Sequence, residues 1–525
     1  MARGEMARSI ARGGFYLAIE KIAGMLSGIL YTMLISRWLG PTKFGIMATA
    51  LACIGFATTA TANAEVYLER YAAEYEARGM IRTLRRSLLM ALGIKLALGL
   101  VASLLLLALT PWLTTFYNMP ELATLLPLLV AWVAFDGFAT TGRATLFGVQ
   151  QYRWVAGLSI LFNVAKTVTV GVLWWSRRGL PELAASLALL TVVHGLLSAV
   201  VPLWMLRRAE DRPGTDPPTP GALLRSMTRY CGPLLGARIT FMSGQNLSTL
   251  VVAKFFDPTL VGYFSFAFRT LERFVEVAYT IPSSLLPPLT QLVVRGERER
   301  LRVVFDEVLR LIQVMACGLA FLLFAFAREI TLFAGSPLFE PAVPILQVLA
   351  LVPMFRTAQQ PLTMLFQAMH LPGVVLRLAA IKFVAEFGSY FVLVPLVGLP
   401  GAAWANLVGA AASYVAALIV LHRRLPGTTG PRLDAQARCL GLLLPLLVIA
   451  AVANRVLGPV GGLTLRLLLI PAGWIGIFGF GLVTRTDLEA MAAAPLSAAP
   501  MRALRDSGVR VMDRFVRTIK PWRML

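Results

Sequence analysis

Apolar stretches of 18 or more residues recur along this chain of 525 residues, and no other feature constrains its fold as tightly. Each is long enough to cross a hydrocarbon core about 30 Å thick as a helix. Within lipid every backbone N–H and C=O must find its partner inside its own segment, so the spans must be helical. Runs and breaks mark 14 candidate spans, near 13–35, 45–67, 88–110, 122–148, 154–175, 183–205, 230–253, 261–286, 307–327, 342–368, 373–395, 398–421, 438–457 and 463–483. Only 14% of residues are charged, where a soluble domain averages about 25%. The chain therefore reads as an all-α integral membrane protein.

Its formal charge is +22, from 49 Lys and Arg against 27 Asp and Glu. In a soluble protein that surplus would suggest a nucleic-acid partner. Placement decides otherwise. With the N-terminus, alternate loops and the tail on one side, about 30 of the 49 cationic residues fall there, against 6 in the remaining loops. The surplus is topological, and no nucleic acid is expected. The bias predicts an even number of spans, both termini cytoplasmic, in a bacterial inner membrane. The apolar stretch after Arg3, Arg8 and Arg12 is too long for a signal-peptide core, so it reads as a retained first helix.

Enzyme chemistry finds little footing. Cys53, Cys231, Cys317 and Cys439 are scattered singly through apolar segments, and His194, His370 and His422 form no ligand cluster, so no metal and no cofactor is expected. No G-x-x-x-x-G-K-[ST] loop offers a nucleotide site. A membrane glycosyltransferase or ligase would need acidic or metal-binding clusters in sizeable outer loops. The longest such loop, 328–341, has only Glu329 and Glu340 as acids.

The longest polar break, 207–229, carries P-G-T-D-P-P-T-P and reads as a semi-rigid cytoplasmic linker with six spans before it and eight after. Across it the chain repeats itself. R-W-L-G-P-T-K-F-G-I-M-A-T-A (37–50) aligns without gaps to K-F-F-D-P-T-L-V-G-Y-F-S-F-A (254–267), an offset of 217 residues. Pro41, Thr42, Gly45 and Ala50 meet Pro258, Thr259, Gly262 and Ala267, and Lys21 meets Arg238. Six spans per unit give both copies one orientation, which implies parallel repeats with a site near mid-membrane between them, a transporter architecture. The expected organisation is an N-terminal six-helix lobe (1–206), the linker, a second six-helix lobe (230–421), a helix pair (438–483) and a tail (484–525).

Several segments resemble a known family. S-R-W-L-G-P-T-K-F-G-I (36–46) is similar to the first-loop signature of polysaccharide flippases in the multidrug/oligosaccharidyl-lipid/polysaccharide transporter superfamily. E-R-Y-A-A-E-Y-E-A-R-G (69–79) resembles the segment after their second helix, and R-Y-C-G-P-L-L (229–235) with V-G-Y-F-S-F-A-F-R (261–269) the start of their second half. V-G-L-P-G-A-A-W-A-N (397–406) resembles the turn into their twelfth helix. The resemblance implies a flippase for a polyprenyl-diphosphate-linked oligosaccharide, with helices one, two, seven and eight around a central cavity. Flipping of lipid II and multidrug/cation antiport are the alternatives within the superfamily. One departure is clear: many relatives carry an acid late in the seventh helix, where this chain has Q-N-L-S-T (245–249).

Charges within spans are costly, about 2.5–3.5 kcal/mol each at a helix centre, and default to functional candidates. Arg269, Glu272, Arg273 and Glu276 fall at i, i+3, i+4 and i+7, on one helical face. Such a stripe must face a water-filled lumen or charged partners; a self-neutralising ion-pair ladder is the structural alternative. With Lys21 and Arg238 the lumen leans positive, and Arg143 and Arg356 are further candidate ligands. A cationic lumen suits a diphosphate, since Arg forks bind phosphate oxygens bidentately. Glu20, Asp136, Glu272 and Glu276 are candidates for coupling an ion gradient, whereas Lys382 and Glu386, at i and i+4, read as a structural pair. Beyond the last span, Leu504, Val511, Phe515 and Ile519 share a face flanked by Arg and Lys, an amphipathic helix for membrane lipids or a polysaccharide-assembly protein. The topology is checked by reporter fusions: one after Arg300 should report cytoplasm and one after Ser336 the outside, and the reverse pattern would overturn the orientation.

Overall fold

A computed structural model describes residues 2–59, 64–208, 218–279, 285–369, 371–424, 430–456 and 458–479; the side chain of Arg238, the core of the linker and the tail at 484–525 lie outside what it describes. Among the described residues every regular element is a helix. In chain order these are α1 (Ala2–Thr59), α2 (Ala64–Arg78), α3 (Ile81–Tyr117), α4 (Leu122–Gly148), α5 (Tyr152–Trp175), α6 (Leu180–Arg208), α7 (Pro220–Phe255) and α8 (Pro258–Ala278). There follow α9 (Leu286–Val294), α10 (Arg298–Ala325), α11 (Ala327–Gly335), a 3₁₀ turn (Pro337–Ala342), α12 (Val343–Leu349) and α13 (Val352–Ala368). The last are α14 (Pro372–Val397), α15 (Leu399–Arg424), α16 (Gly430–Val456) and α17 (Gly458–Gly479).

Eight of these helices, among the described residues, are long and apolar enough to cross a membrane, or nine if α12 and α13, bent by 44°, form one span. The chain is a multi-pass membrane protein. The count falls short of the 14 expected spans for visible reasons. The apolar part of α1 covers 45 residues, which straight would reach roughly 68 Å, more than twice the hydrocarbon core. It is two helices joined at Gly40, whose φ of 66° and ψ of 176° break the helix before Pro41. The 21-residue α8 holds the four charges of the stripe, too many for an apolar span. α16 and α17 contribute shorter apolar stretches, Ala437–Val452 and Gly461–Gly473.

The chain groups into two compact units. The first comprises 1–273, 331–345 and 390–402. Here the repeat-matched residues pack on each other. The Thr42 and Thr259 hydroxyls lie 2.9 Å apart, 217 residues apart in sequence. A Cβ on Gly45 would stand 1.8 Å from the Pro258 carbonyl oxygen, and one on Gly262 would stand 2.0 Å from that of Pro41. The contact is reciprocal: each glycine receives the proline of the other copy. A second reciprocal pair surrounds it. Arg37 Nη2 donates to the Phe333 carbonyl at 2.6 Å, and Lys254 Nζ donates to the Phe116 carbonyl at 3.1 Å. Arg37 and Lys254 stand at the repeat offset, and so do Phe116 and Phe333. The turn itself is solved differently in each copy. Gly40 takes the left-handed conformation, whereas at the matched position Asp257 Oδ1 accepts from the N–H of Thr259 at 2.8 Å and of Leu260 at 3.0 Å, capping α8.

The second unit comprises 274–330, 346–389 and 403–525. One core cluster joins α10, α13 and α15 through Phe305, Leu309, Leu362, Phe366, Tyr414 and Leu418. Another seats α16 and α17 on α10 through Cys317, Phe321, Cys439, Leu443 and Leu469. Arg466 of α17, 1% exposed, ties that helix to α11 with Nη2 on Glu329 Oε1 at 2.6 Å and Nη1 on Glu329 Oε2 at 2.9 Å. The expected Lys382–Glu386 pair is present at 2.6 Å.

The helix crossing at Gly45 makes a sharp test. Gly45→Ala forces a methyl into the Pro258 carbonyl and should destabilise by about 1–3 kcal/mol or more. Gly93→Ala is the control, because nothing lies within 4 Å of its Cβ, and it should be neutral or stabilising by up to about 1 kcal/mol. Thermal unfolding of the purified variants in detergent separates them. Equal melting would refute the close approach.

Candidate functional site

The candidate site lies in the first unit, where α1, α5 and α8 bring cations together. Gly262, Arg269 and Arg273 stand at i, i+7 and i+11 of α8, so the face that meets α1 at the crossing carries both arginines deeper along the same helix. Their position follows. The Arg273 guanidinium packs against Gly28 of α1, where a Cβ would come within 3.2 Å of its Cζ and Nε. Any larger residue at 28 would push the guanidinium away. Tyr31, one turn further along α1 and 8% exposed, lies within electrostatic reach of both Arg269 and Arg273.

Lys166 of α5 completes the group. Its Nζ stands 4.7 Å from the Tyr31 ring centroid and 5.6 Å from that of Phe162, and it too feels the charges of Arg269 and Arg273. Three cations thus surround one buried tyrosine. The α1–α5 contact that holds Lys166 there is polar: Ser27 Oγ donates to the Asn163 carbonyl at 2.8 Å and lies 2.8 Å from Thr167 Oγ1. Side-chain bonds across helices of this kind fix axial register where apolar packing alone would let helices slide. Lys21 is exposed on α1, seven residues before Gly28 and therefore on the same face, roughly 10 Å along the axis.

The other candidates separate. Glu20, adjacent to Lys21 in sequence, turns into the bundle and is 9% exposed. There it forms a two-point ion pair with Arg143 of α4: Nη1 donates to Oε1, Nη2 donates to Oε2 at 3.2 Å, and Nη1 also donates to Ser159 Oγ at 2.8 Å. The charge of Arg143 is therefore largely answered before any anion arrives. Asp136 is half-buried on α4, Glu272 half-buried and Glu276 exposed on α8. Arg356 belongs to the second unit, where its Nε donates to the Tyr279 hydroxyl at 3.2 Å. In the uncharged segment of α7, the Asn246 side chain packs against Gly55, while Ser248 and Thr249 are buried.

Two further features were not read from the sequence. Lys95 of α3 and Glu65 of α2 form a buried ion pair at 2.7 Å, their side chains 2% and 6% exposed. Glu65 lies at a predicted span end and Lys95 alone in its span, so only the fold discloses the partnership. In the second unit an apolar groove of about 370 Å³ runs between α10, α16 and α17, walled by Met315, Gly318, Leu322, Leu442, Leu446 and Ile477.

The family profile described as polysaccharide biosynthesis protein matches residues 85–343. Among curated proteins none matches. Among solved structures, the chain is similar to the lipid II flippase MurJ in an inward closed conformation, with a TM-score of 0.62 at 13% identity over 87% of this chain and 97% of that one. It is similar as well to an inward-facing multidrug resistance MATE family transporter of the MOP superfamily, with a TM-score of 0.59 at 14% identity over 81% and 98% of the two chains. The MATE transporter VcmN of Vibrio cholerae in its bent form gives a TM-score of 0.51 at 13% identity over 81% and 99%. At such identities the likeness establishes the fold.

The buried pair sets a test of its own. Lys95→Met strands the Glu65 carboxylate in an apolar site and should cost about 3–5 kcal/mol, while Lys95→Met combined with Glu65→Leu should recover most of it. Unfolding temperatures of the purified single and double variants check this; additive losses would mean the two do not act as a pair.

Proposed function

We propose that this chain, which matches the polysaccharide biosynthesis protein family over residues 85–343 and has the fold of the MOP-superfamily transporters, flips a polyprenyl-diphosphate-linked oligosaccharide across the bacterial inner membrane. The observation that carries the reading is the grouping of Arg269, Arg273 and Lys166 about Tyr31 on the face that α8 turns toward α1. A diphosphate headgroup is a multiply charged anion that needs such donors once it leaves water. Two guanidinium forks bind its oxygens with defined geometry, and lysine adds a point charge. Lys21, on the Gly28 face nearer the N-terminal end of α1, offers a first contact on the way in, and Arg238 is its repeat counterpart.

The polyprenyl tail has different needs. It stays in hydrocarbon while the headgroup crosses. In this reading α7, α8, α16 and α17 join the eight apolar helices, with α1 crossing twice and α12–α13 once, to give 14 spans with both termini in the cytoplasm. Residues 1–206 and 230–421 act as two lobes that rock about the site, binding in one state and releasing in the other. The reciprocal Gly45–Pro258 and Gly262–Pro41 contacts support a twofold relation between those lobes. Glu272 and Glu276, on the same helix as the arginines, are placed to couple an ion by changing partner as the lobes move. Glu20 is better suited to hold Arg143, so coupling through it, or through the half-buried Asp136 of α4, is the weaker route. No cofactor enters this scheme.

The test is complementation of polysaccharide export in cells lacking their own flippase. Loss of one charge-assisted contact should weaken headgroup binding by about 1.5–3 kcal/mol, roughly ten- to a hundredfold. Arg269→Ala with Arg273→Ala should therefore abolish export at normal protein levels, and Arg→Lys at each site should restore part of it. Full export by the double alanine variant would sink the cationic-lumen mechanism and leave the fold untouched.

A further inference from the structure

Cations on the outer side of an inner-membrane protein work against its orientation, and the loops assigned there hold only 6 Lys and Arg. Four of them are Arg37, Lys43, Arg177 and Arg178. Arg37 is committed to the Phe333 carbonyl. The other three line one open groove of about 600 Å³ in the first unit, between the Gly40 turn of α1 and the turn that joins α5 to α6. Trp38, Trp174 and Trp175 form the remaining walls with Gly171, and among the described residues no carboxylate lines it. Glu182, the acid nearest in sequence to the two arginines, is turned onto the backbone, where its Oε2 accepts from the Gly179 N–H at 2.9 Å.

Two features set the groove apart from an ordinary polar surface. Trp175 is 89% exposed and Trp174 41%, so large apolar rings stand open beside the cations. Arg177 holds a φ of 53°, in the left-handed region that glycine or asparagine occupies with less strain. An arginine kept there, against both backbone preference and topology, answers a local need. Indole rings favour the level between headgroups and acyl chains, and guanidinium forks favour phosphate oxygens. Both demands meet in one kind of molecule.

We infer that this groove binds the phosphate of a lipid in the outer leaflet, with Lys43, Arg177 and Arg178 on the phosphate and the three indoles against the glycerol and upper acyl region. The side of the membrane rests on the charge-based topology, and the binding itself is independent of the cargo proposed above. Lys43 follows Thr42, whose hydroxyl meets Thr259 at the crossing, so an occupied groove ties a lipid directly to the contact between the repeats. The same phosphate chemistry has two sources, an anionic phospholipid of the bilayer or a lipid-linked diphosphate that has crossed it.

Native mass spectrometry of the purified full-length chain, offered phosphatidylglycerol, phosphatidylcholine or a polyprenyl diphosphate, reads the binding directly. Removing each cation should weaken retention on the order of fivefold, so Lys43→Gln with Arg177→Gln and Arg178→Gln should lose about a hundredfold. The charge-preserving set Lys43→Arg, Arg177→Lys and Arg178→Lys should keep most of it. Gly171→Leu retains every cation yet fills the groove, into space where nothing lies within 4 Å of the new Cβ, and should weaken binding as well. Cation-dependent retention of phosphatidylglycerol over phosphatidylcholine supports the site with bulk lipid as its ligand. Cation-dependent retention of the polyprenyl diphosphate alone supports the site with the lipid-linked diphosphate as its ligand. Equal retention of every lipid by wild type and the glutamine variant overturns the inference, as does full binding by Gly171→Leu, which would reduce the effect to surface charge.

Discussion

The near-contact of two helix backbones at Gly45 and Gly262 sets the rest of the first unit. Each glycine faces a proline carbonyl of the other copy at a distance no side chain could share, and the Thr42 and Thr259 hydroxyls meet between them. Without a hydrophobic driving force between helices in lipid, close approach of this kind is what holds them, through dispersion and short polar contacts. The Arg37 and Lys254 bonds to the carbonyls of Phe333 and Phe116 flank it and resist rotation about it. From that fixed point the register of α8 on α1 follows. Arg273 lies 11 residues, roughly 17 Å of helix, beyond Gly262, and it meets Gly28 because Gly28 lies 13 residues back from Pro41. The crossing therefore places the charged stripe as surely as the stripe's own spacing does.

How much of this could be read from the chain depended on how local each signal was. The matched segments at 37–50 and 254–267 announced the repeat, and the spacing of Arg269, Glu272, Arg273 and Glu276 announced one face. Lys382 and Glu386 were legible as a pair because i and i+4 suffice to bring side chains together. Long-range partnerships left no such mark. Glu20 sits next to Lys21, yet neighbours on a helix point about 100° apart, so its partner is Arg143, 123 residues away. Lys95 and Glu65, or Arg466 and Glu329, are far apart in sequence and carry no local sign of pairing until the fold joins them. Phe116 and Phe333 gave no hint at all, since what matters is their backbone carbonyls.

These ion pairs also divide the charged residues into two kinds. Lys95–Glu65, Arg143–Glu20 and Arg466–Glu329 are cross-helix pairs in which a carboxylate meets a cation at short range. Removing one partner is costly, while the pair itself contributes little net stability, so their value lies in fixing which helix lies against which. Around Tyr31 the balance differs. Lys166, Arg269 and Arg273 stand within one another's fields, and Glu272 and Glu276 share α8 with the arginines on the same stripe. A structural pair needs a permanent partner. A transport site needs a partner that can be exchanged.

That distinction bears on which cargo such a lumen suits. An exporter of cationic drugs gains from carboxylates that attract the cargo and from few cations that repel it. Here the segment late in α7, where many relatives carry an acid, offers Asn246, Ser248 and Thr249, while α1, α5 and α8 supply cations. Two like charges about 4 Å apart repel by about 4 kcal/mol at an effective dielectric of 20, so cations that share one another's fields favour an anion over a further cation between them. A diphosphate relieves that repulsion and gains charge-assisted bonds at once, whereas a cation adds to it. On the proposed reading, binding favours whichever conformation draws the three together. On that reading the same electrostatics give the cargo its differential hold on one state, which is the requirement for any ligand to shift a conformational equilibrium.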